Sequence, residues 1–290
     1  MNIKVSVCIA WYNRSDQIKK SIESIVFSNI KYLELIIVND GSTDPLVKER
    51  LDEYLVHDNI KVIHQENQGF CLAINRAISI STGDYVAVVG AGDEVFPDKF
   101  SDQLVFLNDN PSIGIVGTGY EVVNAHSGDK VSETSTFDAD INTETLQKKV
   151  PFTHGTVMYR REVIKELCGY DCFFRYSQDW DLYCRAIKFV KIGAVPRVLY
   201  RKYIFSDGFS YQPSHAIRQS FYANLAKNQN RELIDYYKNS PDKLKLEVDP
   251  CSITKLPYSI RRLAGCLVNK NWEMSKLWII QILKQIKIIK

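Results

Sequence analysis

A chain of 290 residues, 45% hydrophobic and 24% charged, can bury a sizeable core as one large domain or a domain with an appendage. Its formal net charge of +3 is too small to argue for a nucleic-acid partner, and no RNA- or DNA-binding motif is present. No apolar run approaches the roughly 20 residues needed to span a bilayer, so any membrane contact is expected to be peripheral.

The N-terminus, MNIKVSVCIAWYN, opens directly into a strand pattern, without the long apolar core and cleavage site of a signal peptide. Seven cysteines (8, 71, 168, 172, 184, 251, 266) are an odd number, and most lie inside apolar segments. They read as reduced core cysteines of a cytoplasmic protein. Cys168 and Cys172 stand four apart, but no second pair or nearby histidine completes a zinc set.

In chain order, VSVCIA (5 to 10) predicts a first strand, and Ile18, Ile22, Ile25 and Val26 then share one helical face. LELIIVND (33 to 40) predicts a second strand, followed by a helix carrying Val47, Leu51, Tyr54 and Leu55. The short strand IKVIH (60 to 64) and a helix from about 69 to 80 come next. YVAVV (85 to 89) predicts another strand and leads into GAGDEVFP, after which Phe100, Leu104 and Leu107 mark a helix. Near-continuous β-branched strands alternating with helices predict an α/β fold, Rossmann-like, with a mostly parallel sheet flanked by helices.

The polar stretch from 124 to 143 predicts an exposed loop or hairpin. A second set begins at 152, with FTHGTVMYRREVIKELCGYD, SQDWDLYCRAI and a strand around AVPRVLYRKYIF. Helical periodicity dominates from about 213 to the end, apart from a break marked by Pro and Asp near 241 to 257.

Ligands of open parallel sheets bind beyond the carboxyl ends of the strands, which selects Ala10 to Asn13, Asn39 to Asp44 and Gly90 to Glu94 as site-lining segments. In IIVNDGSTD, Asp40 at a strand end can accept hydrogen bonds from a base or ribose, while Gly41 lets the backbone approach. Taken alone, the same residues equally describe an ordinary turn with helix-capping side chains.

Six segments taken together carry more: VSVCIAWYN, IIVNDGSTD, NQGFCLAIN, TGDYVAVVGAGDEVFPDKF, HGTVMYRREVIKELCGYD and SQDWDLYCRAI. In order and spacing they resemble the family 2 inverting glycosyltransferases of the GT-A fold, over roughly residues 3 to 205. The resemblance implies a catalytic domain over 1–210, with a nucleotide-binding half (1–95) and an acceptor half (96–210), followed by a helical region over 211–290. It implies a hexosyl- or N-acetylhexosaminyl-transferase that takes its sugar from a nucleotide-sugar donor, UDP-linked, in bacterial surface polysaccharide synthesis. The acceptor would be a hydroxyl of a glycan or lipid-linked glycan.

By the same resemblance, Ala10, Tyr12, Asp40, Gly69, Asn75, Gly90, Gly92 and Asp93 line the nucleotide and donor site, and His154 and Trp180 the acceptor or sugar pocket. A family arginine that helps hold the diphosphate falls on Ile74, with Arg76 two positions later and about 200° away on a helix. The family's metal motif runs Asp, any residue, Asp, often with a further Asp and then a proline. Alignment on Pro97 puts Asp93 at the last acid and Gly90 and Gly92 at the two usual ribose and metal positions. Mg²⁺ often takes only one or two protein carboxylates, so Asp93, assisted by Glu94, is expected to hold Mg²⁺ or Mn²⁺. Where the family often has a histidine on the diphosphate or metal stands Tyr203, with His215 near enough in sequence to substitute.

In QDWD (178 to 181), Asp179 takes the place of the family's general base, able to receive the acceptor proton. As bare chemistry, Asp179 and Asp181 are also two acids at a helix N-terminus, favoured by its dipole. The two glycines and Ile74 motivate an alternative, an inactive nucleotide-sugar-binding or scaffolding protein of the same fold. A sugar-phosphate nucleotidyltransferase is disfavoured, because its glycine-rich, basic N-terminal loop is absent.

The tail KLWIIQILKQIKIIK (276 to 290) contains four lysines and no acid. On a helix, Lys276, Lys284, Lys287 and Lys290 cluster on one side, and Trp278, Ile279, Ile282, Ile286 and Ile289 on another. Such a helix suits a membrane interface at the inner face of the cytoplasmic membrane. Its apolar side equally suits packing on the catalytic domain or on another subunit of a homo-oligomer.

Overall fold

The computed structural model describes residues 4–137, 141–205, 212–250, 255–268 and 272–286. The chain divides into two compact units, Met1–Tyr203 and Ile204–Lys290.

In the first unit β1 (Val5–Trp11), α1 (Ile18–Val26), β2 (Leu33–Asp40), α2 (Pro45–Asp52), β3 (Ile60–Gln65), α3 (Phe70–Ile80) and β4 (Tyr85–Val88) alternate as the sequence pattern predicts. There follow β5 (Glu94–Val95), α4 (Lys99–Asp109), β6 (Ile113–Asn124), β7 (Lys130–Thr134), α5 (Thr143–Lys148), β8 (Met158–Arg160), α6 (Arg161–Glu166), α7 (Gln178–Ala186) and β9 (Lys191–Ile204). The strands make one sheet in the order β3-β2-β1-β4-β8-β6-β9-β5, with β7 paired to β6 as a hairpin built from the polar excursion.

The first four strands of that order are parallel, and β8 joins β4 antiparallel through Tyr85↔Arg160 and Ala87↔Met158. Side-chain alternation puts the helices on both faces. Cys8, Ile36, Val38, Val86 and Val88 point to one side, against Ala73, Ile74 and Ala77 of α3. Val7, Ile9, Leu35 and Ile37 point to the other, against Ile18, Ile22 and Ile25 of α1. Those three isoleucines are at most 1% exposed. At roughly 1.5–3 kcal/mol for each buried side chain, they suffice to fix α1 on the sheet.

The parallel register aligns Trp11 with Asn39, and Cys8 with both Ile36 and Val88. The loops after β1, β2, β3 and β4 therefore leave from one edge, and that convergence builds the site.

The second unit is helical: α8 (Pro213–Asn228), α9 (Arg231–Lys238), α10 (Pro241–Glu247), α11 (Leu256–Val268) and α12 (Trp272–Gln285). The predicted break near 241 to 257 holds the short α10, because Pro241 sits at its first position, where a missing N–H costs nothing. Trp278 is fully buried, edge-on to Tyr258, and the Gln281 and Gln285 amides donate to the Pro250 carbonyl. Ile279, Ile280 and Ile286 remain 41–45% exposed. Trp278 therefore parts from the apolar stripe drawn from the sequence and faces inward. Positions 287 to 290 of that stripe, with Lys287, Ile289 and Lys290, lie outside the described residues. Among the described residues no helix is long and apolar enough to cross a membrane.

The cysteines divide. Cys8, Cys71 and Cys184 are buried as expected, whereas Cys168 and Cys172 are exposed. Cys168 (φ 54) and Gly169 (φ +71) reverse the chain after α6 in left-handed conformations, which turns this segment outward.

Candidate active site

At the edge after β1 and β2, the turns hold one another. Asn13, in the left-handed region at φ 57, accepts from Thr43 N–H (2.8 Å) and Asp44 N–H (3.1 Å) through Oδ1 and donates its own N–H to Ser42 Oγ (2.8 Å). Asp44 caps α2 by accepting from Leu46 N–H at 3.1 Å, with Pro45 next. This supplies the orphan donors of the first turn and explains why DGSTDP starts a helix. Ala10 lies partly buried at the strand end, and the Tyr12 ring stands at the lip, 47% exposed.

Asp40 is 4% exposed and holds the next turn rather than projecting freely. Its carboxylate accepts from Gln65 Nε2, Gln68 N–H and Gly69 N–H, each at 2.8 Å. Gly69, at φ +90, begins α3, and Gly41, at φ +66, passes so close to Asn67 that a Cβ would meet its nitrogen at 2.4 Å. Arg76 donates to Gln65 Oε1 at 2.9 Å, so this cation supports the Asp40 network, while Ile74 is fully buried in the core. Asn39 accepts from Ser42 Oγ at 2.6 Å and meets His64 Nδ1 at 3.0 Å.

The glycine-rich turn after β4 departs from the expected metal site. Tyr200 of β9 donates its phenol proton to Asp93 Oδ2 at 2.6 Å, and Tyr203 N–H donates to Asp93 Oδ1 at 2.8 Å. Gly90 N–H donates in turn to the Tyr200 oxygen at 3.0 Å. Burial pushes the Asp93 carboxyl up to about 6, against the pull of the Tyr200 and Tyr203 bonds.

A Cβ at Gly90 would meet Asp93 Oδ2 at 2.5 Å, and one at Gly155 would meet the Tyr200 oxygen at 1.9 Å. The phenol fills the volume that side chains at either position would take. Gly92 lies at φ +86, where any side chain is strained. Glu94 pairs with Lys20 at 2.7 Å and accepts from the Tyr203 phenol.

In this structure Asp93 and Glu94, the expected metal-ligand pair, both accept hydrogen bonds from protein donors. Among the described residues no group of three His, Cys, Asp or Glu could hold a metal ion. The residues present do not fit the divalent cation that the resemblance implies. His215 lies in the first turn of α8, in the second unit.

The base end is built by α7 and the segment before β8. Asp181 is fully buried and paired with Arg185 Nε at 2.8 Å, and Arg185 also donates to the Leu167 and Gly169 carbonyls. Asp179, one helical step away, is half-buried and accepts at Oδ1 from its neighbour Trp180 N–H at 2.8 Å. Asp181 is thus the acid of the pair taken up by an ion pair, and Asp179 the one with no ion-pair partner among the described residues.

His154 Nε2 lies 2.6 Å from the Tyr170 hydroxyl, which meets the Tyr159 hydroxyl at 2.9 Å, and Phe70 packs edge-on to both the imidazole and the Tyr170 ring. Burial pushes the imidazole down, opposed by the Asp179 charge and aided by Lys202. It is neutral at pH 7.

Asn75, expected at the donor site, and Trp180, expected in the acceptor or sugar pocket, each hold a neighbouring segment in this structure. Asn75 clamps the Tyr170 backbone, donating to its carbonyl at 2.8 Å and accepting from its N–H at 2.9 Å. Trp180 sends its indole N–H to the Leu146 carbonyl at 2.8 Å, which anchors α7 to α5. Both hold the walls of the site. Tyr200 and Lys202, which sequence reasoning passed over, occupy the site side of β9. The signal for them was the strand alternation in YRKY, legible only once the partner of each face was known.

The family model for "Glycosyl transferase family 2" matches residues 6–168. EpsE of Bacillus subtilis (strain 168), which carries a glycosyltransferase designation, is 33% identical over 187 residues, 63% of this chain and 66% of its own. YibD of Escherichia coli (strain K12), also designated a glycosyltransferase, is 40% identical over 99 residues, 33% of this chain and 28% of its own. The chain thus spans just under two thirds of the first of these relatives and less than a third of the second.

Among solved structures, mannosyltransferase PcManGT from Pyrobaculum calidifontis, in complex with GDP-Man and Mn²⁺, superimposes with a TM-score of 0.64 at 14% identity, covering 99% of this chain and 88% of that one. S. aureus TarS 1-349 in complex with UDP-GlcNAc gives 0.59 at 18% identity, covering 77% and 67%. These likenesses show the GT-A fold. With the family match spanning more than half of its length, the chain belongs to glycosyl transferase family 2.

Proposed function

We propose that this glycosyltransferase moves one sugar, with inversion, from a UDP-linked donor to a hydroxyl of a growing glycan in bacterial surface polysaccharide synthesis. The observation that carries it is the division of labour in QDWD: Asp181 is consumed by Arg185, while Asp179 keeps one oxygen clear of protein donors among the described residues. In the reaction the acceptor oxygen attacks the anomeric carbon, its proton passes to Asp179, and the bond to the diphosphate breaks on the opposite face. The neutral His154 imidazole and Tyr170 phenol form a polar wall that can orient hydroxyls without adding charge. The Asp40 turn and the Tyr12 ring hold the nucleoside. UDP and UDP-GlcNAc in the TarS complexes support the donor.

The exposed Ile279, Ile280 and Ile286, with Lys276 and Lys284 on the same helix, suit a membrane surface carrying a lipid-linked acceptor. The deciding experiment is turnover of a UDP-sugar panel by wild type and Asp179→Asn. Loss of roughly 10² or more in turnover with unchanged UDP binding is expected, since Asn keeps the shape and loses the proton acceptor. Near-normal turnover in the variant refutes the base. Nucleotide-sugar binding by wild type without turnover of any kind would make the chain a binding protein of the same fold.

A further inference from the structure

The family's chemistry asks for positive charge at the diphosphate, and the turn that would recruit it as a metal is closed by Tyr200. Among the described residues, Lys202 is the cation placed to replace it. Strand β9 pairs with β5 through Glu94↔Arg201 and Val95↔Tyr200, which sets Lys202 opposite Asp93. Alternation along β9 sends Arg201 and Tyr203 to one face, where Arg201 pairs with Glu121 at 2.6 Å and the Tyr203 phenol meets Glu94. Tyr200 and Lys202 share the other face, and Tyr200 reaches Gly90, Asp93 and Gly155 there.

Lys202 is half-buried, and among the described residues its ammonium has no hydrogen-bond or ion-pair partner. A half-buried ammonium without such a partner stands out beside Arg201, paired with Glu121, and Arg197, paired with Asp98 and Asp102 on the same strand. Its charge reaches both Asp93 and His154, while Asp179 reaches His154 and the tyrosines beyond it. His154 is the group that both charges reach. The site thus brings an acid and a cation within electrostatic reach of one imidazole.

We infer that Lys202 is the cation that holds the donor diphosphate and stabilises the departing oxygen, so that transfer proceeds without a divalent metal. This rests on the function proposed above. As the acceptor oxygen bonds to the anomeric carbon, its proton goes to Asp179. The carbon–oxygen bond to the β-phosphate breaks, and the electron pair left on that phosphate oxygen faces the Lys202 ammonium.

The test compares UDP and uridine binding by calorimetry to wild type, Lys202→Met and Lys202→Arg, in EDTA and in Mn²⁺. Wild type should bind UDP equally in both buffers. Lys202→Met should weaken UDP by about ten- to a hundredfold, the value of one charge-assisted bond, and leave uridine unchanged. Lys202→Arg should recover most of the loss. A purely structural lysine would shift uridine and UDP together, which would overturn the inference. So would UDP binding that EDTA abolishes and Lys202→Met leaves intact, with the transferase reading still standing. Failure of wild type to bind any nucleoside diphosphate in a panel of UDP, GDP, ADP and dTDP would instead overturn the function on which the inference depends.

Discussion

Asp93→Asn separates a structural carboxyl from a metal ligand. Asp93 ionises at about 6 in the folded chain instead of the ordinary 3.8, because burial outweighs the bonds from Tyr200 and Tyr203. Below 3.8 both folded and unfolded chains hold the proton, and the folded state suffers nothing. As pH rises through about 6 the folded chain must ionise a desolvated group, and the stability present at low pH is lost. The difference between 3.8 and about 6 corresponds to about 3 kcal/mol at 1.36 kcal/mol per pH unit, of which about 2 falls between pH 4.5 and 7.5.

Asn keeps an acceptor for Tyr203 N–H and cannot ionise. The stability of Asp93→Asn relative to wild type should therefore rise by about 2 kcal/mol between pH 4.5 and 7.5, read from urea unfolding of each protein at both pH values. Taking the difference between the two proteins cancels every other titrating group. Parallel pH profiles would refute the account of Asp93 as a partly buried, protein-bonded carboxyl. So would Mn²⁺ raising the wild-type midpoint and failing to raise that of the variant.

Other perturbations test the remaining walls of the site. Gly155→Ala places a Cβ 1.9 Å from the Tyr200 oxygen; it should cost about 1–3 kcal/mol by denaturation and lower UDP affinity, and Tyr200→Phe should relieve part of the cost. Asp40→Ala strands the Gln68 and Gly69 N–H groups and should cost about 1–3 kcal/mol, with uridine affinity falling alongside UDP in calorimetry. Removal of 276 to 290 takes away buried Trp278 and the Pro250 contacts and should destabilise the helical unit, so it is no clean membrane test. Replacing exposed Ile279, Ile280 and Ile286 with Ser should leave the fold intact and abolish flotation with anionic vesicles, and persistent flotation would place membrane contact elsewhere.

The sequence by itself determined the periodic elements. Strands β1 to β4 and helix α3 follow from runs such as VSVCIA and LELIIVND, because one-dimensional spacing of apolar residues dictates which face must leave water. It also marked Asp179, Asp40 and the odd pair of glycines, since motif order survives without coordinates. What the carboxylates do was decided by tertiary structure. Asp93 and Asp40 read as ligands because a carboxylate in sequence shows its charge and not its partners. The partners come from Tyr200, Tyr203, Gln68 and Gly69, 28 to 110 residues away. Motif position separated Asp179 from Asp181 in the sequence, and the structure adds the physical difference, since Arg185 reaches only Asp181. The strand alternation in YRKY carried the signal for Lys202, but its face of β9 acquires meaning only when antiparallel pairing with β5 sets it against the glycine-rich turn. Local periodicity is a property of neighbours in the chain, whereas hydrogen-bond satisfaction in a buried site is settled by whichever distant strand the fold brings alongside.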